Sequence, residues 1–535
     1  MRVTRFSTFL TTVFLAAFLS SYTNGQQETQ APLWAELSPG QYRVGFRAIY
    51  GFDRTRTWQT TRAYDKEFSA DTHGRPIRIS VWYPAVVQAS TPRMRYEDYI
   101  RLSTPKEFAN LSAILERHDR AIAALSVPSD QMTALLATTV NAYREAPAAS
   151  GHFPLVLYFG GLNDTSTINV SVMAEYLASH GYVVATVPLL GPTNEQTAQA
   201  RTQSDIETTV RDMEFAWSLL RAQPNVDDSK LAIVGHSLGG IDALVFAMRN
   251  QNVSTVIGLD ATYGFEGATK VLTDFYGYKP ENMRADFLDL RKAEGEQDTV
   301  LDLSTVEAFR YANRDLITVR KMHHSDFTSF AIVAQKFHLG NTPGYVDKSG
   351  WTRETGYRGY QIVCTMVRDF LDEKLKGDPD GSKRLVADVS RADGGLLKHE
   401  SGLPAPPSPK EFVALIQQRG FAAATAIVDQ YRREIAVETI VNESVFNSLG
   451  YELMAEKRFT EAIGILRLVT FVYPQSANAA DSLGDAYALA NQKANARDAY
   501  QKAIELVSTD SRFDAQAKKS FTKDEELKLE QLKLR

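Results

Sequence analysis

The sequence predicts an α/β architecture, an open and mostly parallel sheet with helices on both faces, followed by an all-helical C-terminal region. Three observations carry this reading. From residue 153 to about residue 320, short apolar strand candidates alternate with helical stretches, the pattern of a parallel sheet covered on both sides. Beyond residue 410 the strand pattern stops and only helical periodicity remains. Within that region a shift of 34 residues superimposes Leu449-Gly450 on Leu483-Gly484 and Ala462 on Ala496, a helix–turn–helix repeat period.

The elements follow in chain order. Arg2 and Arg5 precede an apolar run from Phe6 to Leu19, and Ser20-Ser21-Tyr22-Thr23-Asn24-Gly25 forms a small and polar exit. This predicts a cleaved secretory signal peptide over residues 1–25, hence an exported protein, periplasmic or secreted. The run is shorter than the roughly 20 residues a spanning helix needs, and no later stretch is apolar for longer. Residues 26–400 are assigned to the α/β domain. Residues 40–84 read as β-structure, with Arg78 to Tyr83 halted by Pro84. Residues 104–146, rich in Ala, Leu and Glu, predict a helical insertion. Strands are expected at 153–159, 182–187, 231–234 and 256–259, and near 285–290 and 316–320. A helix candidate covers about 170–180, and a second helix aligns Ile206, Val210, Met213, Trp217 and Leu220 on one face. A third runs through Ala243 to Phe246. Residues 373–409 read as a wrapping segment that becomes a linker at 401–410. Residues 411–510 are assigned to repeats of the tetratricopeptide (TPR) type, with 410–436 supplying a further helical pair. Residues 511–535 read as a charged tail.

Composition excludes several functions. A net charge of −5 with no basic stripe gives nucleic-acid binding no support. Cys364 is the only cysteine, which rules out an intrachain disulfide and a cysteine–histidine metal cluster. It lies in the apolar helical run Tyr360 to Val367 and is expected to be a buried structural thiol. Metal ligands are not clustered, and the pair His323–His324 alone is too little, so no metal or cofactor is expected.

The chemistry is concentrated in Gly235-His236-Ser237-Leu238-Gly239-Gly240, which follows a strand candidate and precedes a helix. A serine in G-x-S-x-G at such a junction sits on a sharp, strained turn that lifts its hydroxyl to the carboxyl end of the sheet, and the flanking glycines avoid collisions there. A serine hydroxyl needs a base to take its proton. His323 and His324 directly follow the strand candidate at 316–320, whereas His338 lies in a helical stretch and reads as a surface or packing residue. The spacing does not choose between His323 and His324. An acid must then orient that histidine, and Asp260, Asp289 and Glu294 all end or follow strands. Two backbone N–H groups are needed for an oxyanion: that of Leu238, after the nucleophile, and one from Gly161, Leu162 or Asn163 after strand 153–159.

Four blocks in order carry a family resemblance: Arg78 to Pro84, Leu155 to Leu162 with Ala178-Ser179-His180-Gly181-Tyr182, the Gly-His-Ser-Leu-Gly-Gly turn, and Ile257-Gly258-Leu259-Asp260-Ala261. Over roughly residues 40–370 the chain resembles the platelet-activating-factor acetylhydrolase group of α/β-hydrolases, and more loosely the dienelactone-hydrolase and cutinase-like enzymes. The resemblance implies Asp260 as acid, His324 as base before Asp326-Phe327-Thr328, and Leu162 as the second oxyanion donor beside Leu238. The family usually has His-Gly where Gly160-Gly161 stands here, which bears on substrate preference. The helical tail looks like the TPR end of many exported bacterial hydrolases. Together these imply a serine hydrolase of carboxylic esters, acting on short-chain acyl or lipid esters, with a peptide or protein partner for the repeats. A serine peptidase on the same fold is the alternative within enzymes. A TPR-based binding protein with a vestigial hydrolase domain is the alternative outside them.

Overall fold

The structure is a computed structural model. It describes residues 32–56, 74–162, 167–192, 202–265, 267–293, 301–340, 350–392, 395, 397–433 and 436–534. The expected signal peptide, Asn163 and Glu294 lie outside the described residues. The chain divides into two compact units, meeting between Leu403 and Pro404.

Among the described residues, the first unit is built on a ten-stranded sheet. Its strands are β1 (Arg43–Asp53), β2 (Arg75–Ala85), β3 (Ala142–Arg144), β4 (Phe153–Phe159), β5 (Val183–Thr186), β6 (Val226–His236), β7 (Val253–Leu259), β8 (Asp286–Lys292), β9 (Arg314–Val319) and β10 (Leu397–Glu400). Across the sheet they run β3-β1-β2-β5-β4-β6-β7-β8-β9-β10. The stretch from β5 to β9 is wholly parallel. β2 is antiparallel to both β1 and β5, and β10 is antiparallel to β9.

Side-chain alternation explains why these strands are apolar throughout. Leu155, Leu157 and Phe159 of β4, with Leu231 and Ile233 of β6, pack on one side with helices Gln203–Leu220 and Gly239–Arg249. Val156 and Tyr158, with Ala232 and Val234, face the other side and helices Thr167–Ser179 and Arg353–Lys376. Both faces are buried, so polar residues are excluded from either register. Each fully buried Leu, Ile or Val contributes about 1.5–3 kcal/mol relative to exposure. Helix Gln203–Leu220 starts at Thr202, whose side chain accepts from the Asp205 N–H in a reciprocal capping box, an arrangement worth about 1 kcal/mol.

The structure departs from the sequence reading in several places. The 104–146 segment is helical at Ala109–Leu125 and Met132–Ala137 but ends in β3, which pairs parallel with β1. β2 runs through Pro84, whose carbonyl accepts from the Ala149 N–H on the side away from β1, where its missing N–H would also point. The segment after Lys376 is not a mere wrapping linker, since it forms helix Gly381–Arg391 and the edge strand β10. His338 lies just past helix Phe330–Lys336, in the left-handed region at φ 53°. Most of the expected charged tail is helix, Ala515–Leu534.

Among the described residues the second unit has helices and no strand. Helix Glu443–Ala455 reappears 34 residues later as Ala477–Leu489, and Phe459–Val472 is followed at the same shift by Lys493–Val507. Gly450 and Gly484 permit the close crossings: a Cβ at Gly450 would lie 2.7 Å from Leu466 side-chain atoms, and one at Gly484 would lie 2.4 Å from the Tyr500 ring. Each pair is capped alike, by Asn442 and Ser476. Helices Pro409–Arg419 and Phe421–Tyr431 precede them.

Candidate active site

β6 ends at His236, helix Gly239–Arg249 starts three residues later, and Ser237 between them has φ 53°. A non-glycine residue there costs of order 1–3 kcal/mol and persists only where its surroundings enforce it. They do so here. The Ser237 N–H donates to the Leu259 carbonyl (3.1 Å), and the Ser237 carbonyl accepts from the Thr262 N–H (2.9 Å), so the turn is tied to the end of β7. A Cβ at Gly239 would lie 2.3 Å from the Phe159 carbonyl oxygen, and one at Gly235 would lie 2.7 Å from that of Gly239. Both positions therefore require glycine.

The two neighbouring histidines part company. The Ser237 hydroxyl donates to His324 Nε2 at 2.7 Å, and His324 Nδ1–H donates to Asp260 Oδ2 at 2.5 Å. The His324 side chain is 36% exposed, so the middle of this chain of bonds is open to solvent while Asp260 at its end is fully buried. His323 turns away and stacks on Trp351, with ring centroids 3.7 Å apart. Its N–H donates to Asp326 Oδ2 (2.8 Å), and Trp351 Nε1–H donates to the same oxygen (2.7 Å). Asp326 thus fixes the loop on which His324 stands. Burial pushes its carboxyl above the usual range in spite of those donors.

The acid candidates separate too. Asp260 directly follows β7 and has φ 42°, which turns its side chain out of the strand. Burial alone would raise its carboxyl. The His324 hydrogen bond and charge, with the charge and N–H of Lys292, hold it below the usual aspartate value instead. Asp289 lies inside β8 and stays in register. It accepts from the Tyr263 hydroxyl (2.9 Å) and from Arg291 Nε, and burial pushes its carboxyl up. It is a buried partner of Arg291, remote from any hydrogen bond to His324 in the described structure.

For the oxyanion donors, Leu238 is buried at the head of helix Gly239–Arg249. A Cβ at Gly161 would fall 2.6 Å from Ser237 Cβ and 3.2 Å from its Oγ, so the loop after β4 lies directly against the serine. Leu162 follows it with its side chain largely at the surface. Two residues near the site were not singled out from sequence. Lys292 is buried and donates its N–H to Asp260 Oδ1 (3.2 Å). His236 stacks on His324; its place inside the G-x-S-x-G motif was the available signal. Among the described residues no group of three or more His, Cys, Asp or Glu is placed to hold a metal ion. No described helix is long and apolar enough to cross a membrane. Cys364 is fully buried, and burial pushes its thiol far up.

A mostly parallel sheet with an antiparallel second strand, a serine on a strained strand-to-helix turn, and a histidine after the last parallel strand define the α/β-hydrolase fold. A family model described as chlorophyllase matches residues 120–288, less than half of the chain. Over 148 residues the chain is 27% identical to chlorophyllase type 0 of Chenopodium album, covering 26% of this chain and 42% of that protein. The chain therefore spans less than half the length of that relative. A solved ferulic acid esterase from Streptomyces cinnamoneus aligns with a TM-score of 0.48 at 18% identity, over 67% of this chain and 98% of that one.

Proposed function

We propose that this chain is a serine hydrolase of carboxylic esters. The observation that carries the reading is the continuous chain of hydrogen bonds from Ser237 Oγ through both nitrogens of His324 to the buried Asp260. The likeness to proteins named chlorophyllase favours esters over peptides.

In this reading Ser237 Oγ attacks the ester carbonyl while His324 Nε2 takes its proton. The imidazolium so formed is stabilised by Asp260, which stays ionised and fixes the tautomer with Nδ1–H. The N–H groups of Leu238 and Leu162 receive the oxyanion as the tetrahedral intermediate forms. His324 returns the proton to the departing alcohol, leaving an acyl-Ser237. Water, deprotonated by His324, then attacks that acyl group and releases the acid. No step calls on a metal or cofactor.

The finer expectations from the acetylhydrolase resemblance, short-chain acyl or lipid esters as substrates, belong to the same proposal. So do export and a TPR-like second unit with a peptide or protein partner; the 34-residue recurrence of helix bounds supports the repeat reading. The test is hydrolysis of p-nitrophenyl esters of graded chain length, together with labelling by a fluorophosphonate. Wild type should turn over the shorter esters and be labelled, while Ser237→Ala should lose both with an unchanged thermal melt. Equal turnover by the two proteins would move catalysis elsewhere.

A further inference from the structure

We infer that His236 is a positioning residue, locking the nucleophile turn, the oxyanion loop and the histidine loop into one register. The inference rests on the serine-hydrolase reading above and extends it to a residue outside the proton-transfer chain.

His236 closes β6 and is 5% exposed. Its Nε2 lies 3.3 Å from the carbonyl oxygen of His324. A carbonyl only accepts, so Nε2 carries the hydrogen, and the tautomer follows from the geometry. The two rings also stack, with centroids 5.1 Å apart and planes inclined by 27°. The other ring nitrogen faces the oxyanion loop: a Cβ on Gly161 would meet His236 Nδ1 at 3.3 Å. One buried ring on the nucleophile turn therefore lies against two further segments, and each of the three bears one part of the proposed machinery.

The arrangement answers a mechanical problem. His324 sits on a short turn after β9, and its ring must hold both Ser237 and Asp260 at hydrogen-bond distance. On one side the turn is fixed through His323, Asp326 and Trp351. On the other side His236 grips the main chain of His324 itself. Because His236 immediately precedes Ser237, any drift of the His324 backbone is resisted from the residue adjoining the nucleophile. A displacement of about 1 Å at such a site can cost about 100-fold in rate.

Three substitutions separate the hydrogen bond from packing. The side-chain amide nitrogen of Gln can take the place of Nε2, that of Asn reaches only the Nδ1 position, and Phe keeps a flat ring without a donor. On p-nitrophenyl acetate, His236→Gln should stay within about threefold of wild type. His236→Asn and His236→Phe should lose about 10- to 100-fold in kcat with KM little changed and thermal melts close to wild type. A second readout needs no substrate. The low-field proton resonance of the His324 Nδ1–H to Asp260 bond should persist in His236→Gln and broaden or vanish in His236→Phe. If His236→Phe matches His236→Gln in both kcat and the proton resonance, the positioning role is overturned. If all three variants fall together along with their melting temperatures, His236 is packing alone and the inference also fails. Wild-type protein that neither hydrolyses esters nor takes up fluorophosphonate would overturn the esterase reading, and the resonance would still decide whether His236 holds His324 in place.

Discussion

Gly161 and Ser237 are packed so closely that a methyl group on the glycine would fall 2.6 Å from the serine Cβ. Real Cβ atoms do not approach that near, so Gly161→Ala must push the loop after β4 away from the nucleophile. The loop carries the proposed second oxyanion donor, and loss of one such donor costs about 100- to 1,000-fold in kcat. The expected outcome is a fall of that size in kcat on an activated ester, with a much smaller change in KM. Full activity in Gly161→Ala would separate this loop from catalysis.

Asp260 and Asp289 give opposite signatures. Asp260→Asn keeps the shape at the end of β7 but removes the charge facing His324. Turnover should drop by up to about 10⁴-fold with the fold intact. Asp289→Asn instead leaves Arg291 buried without its carboxylate, a change that typically destabilises by about 3–5 kcal/mol. That protein should melt earlier yet retain turnover per folded molecule. The check is kcat/KM and a denaturant midpoint on both variants; the reverse pattern would reassign the acid.

Asp326 and His323 can be told apart in the same way. Asp326→Ala removes the acceptor for both the His323 N–H and Trp351 Nε1–H. It should cost about 1–3 kcal/mol for the unpaired buried donors and lower kcat through misplacement of His324. His323→Ala loses the stacked ring and its capping contact with the Asp326 N–H but keeps the main-chain N–H bond to Asp326, so kcat should change by less than about tenfold. Parallel kinetics and melts on the two variants decide the matter.

Stability should fall with rising pH because of Glu175. This buried side chain accepts from the Tyr99 hydroxyl (2.6 Å), Trp34 Nε1–H (2.5 Å) and the Asn141 N–H (3.1 Å). Burial outweighs those donors and pushes its carboxyl up to about 7. An unfolded glutamate titrates near 4.3. Folding thus favours the protonated form, and the contribution is complete below the unfolded value and lost as pH rises through 7. The melting temperature of the first unit should decline between pH 5 and 8, and Glu175→Gln should flatten that slope. An unchanged slope in the variant would exclude Glu175 as its source.

The sequence made some parts legible and hid others for physical reasons. The Ser237 turn could be read because two steric constraints, at Gly235 and Gly239, leave a signature within five residues. The strands β4 to β9 were visible because burial on both faces makes them apolar runs. His323 and His324 could not be ranked by spacing, because the difference lies in partners far along the chain: Trp351 for one, Asp260 for the other. Asp260 and Asp289 looked alike because both sit near strand ends in the sequence, and two more residues of β8 place Asp289 inside the strand. β3 and β10 were missed because strands of three or four residues carry too short an alternation to register, and their pairing is set by distant neighbours.

Ser237 and Asp260 share a backbone oddity: both occupy positive φ, at 53° and 42°, without being glycine. Relieving such conformations gains stability, of order 1 kcal/mol or more at each position. Variants sorted solely for survival at high temperature should therefore accumulate glycine at 237, and glycine or asparagine at 260, the residues most at ease in that region. Heat selection applied without an activity screen would thus erode these reacting groups along with the other non-glycine positions of positive φ, such as Lys321 and His338. A copy of this gene released from its chemical task would carry the record of that release at the codons for Ser237 and Asp260.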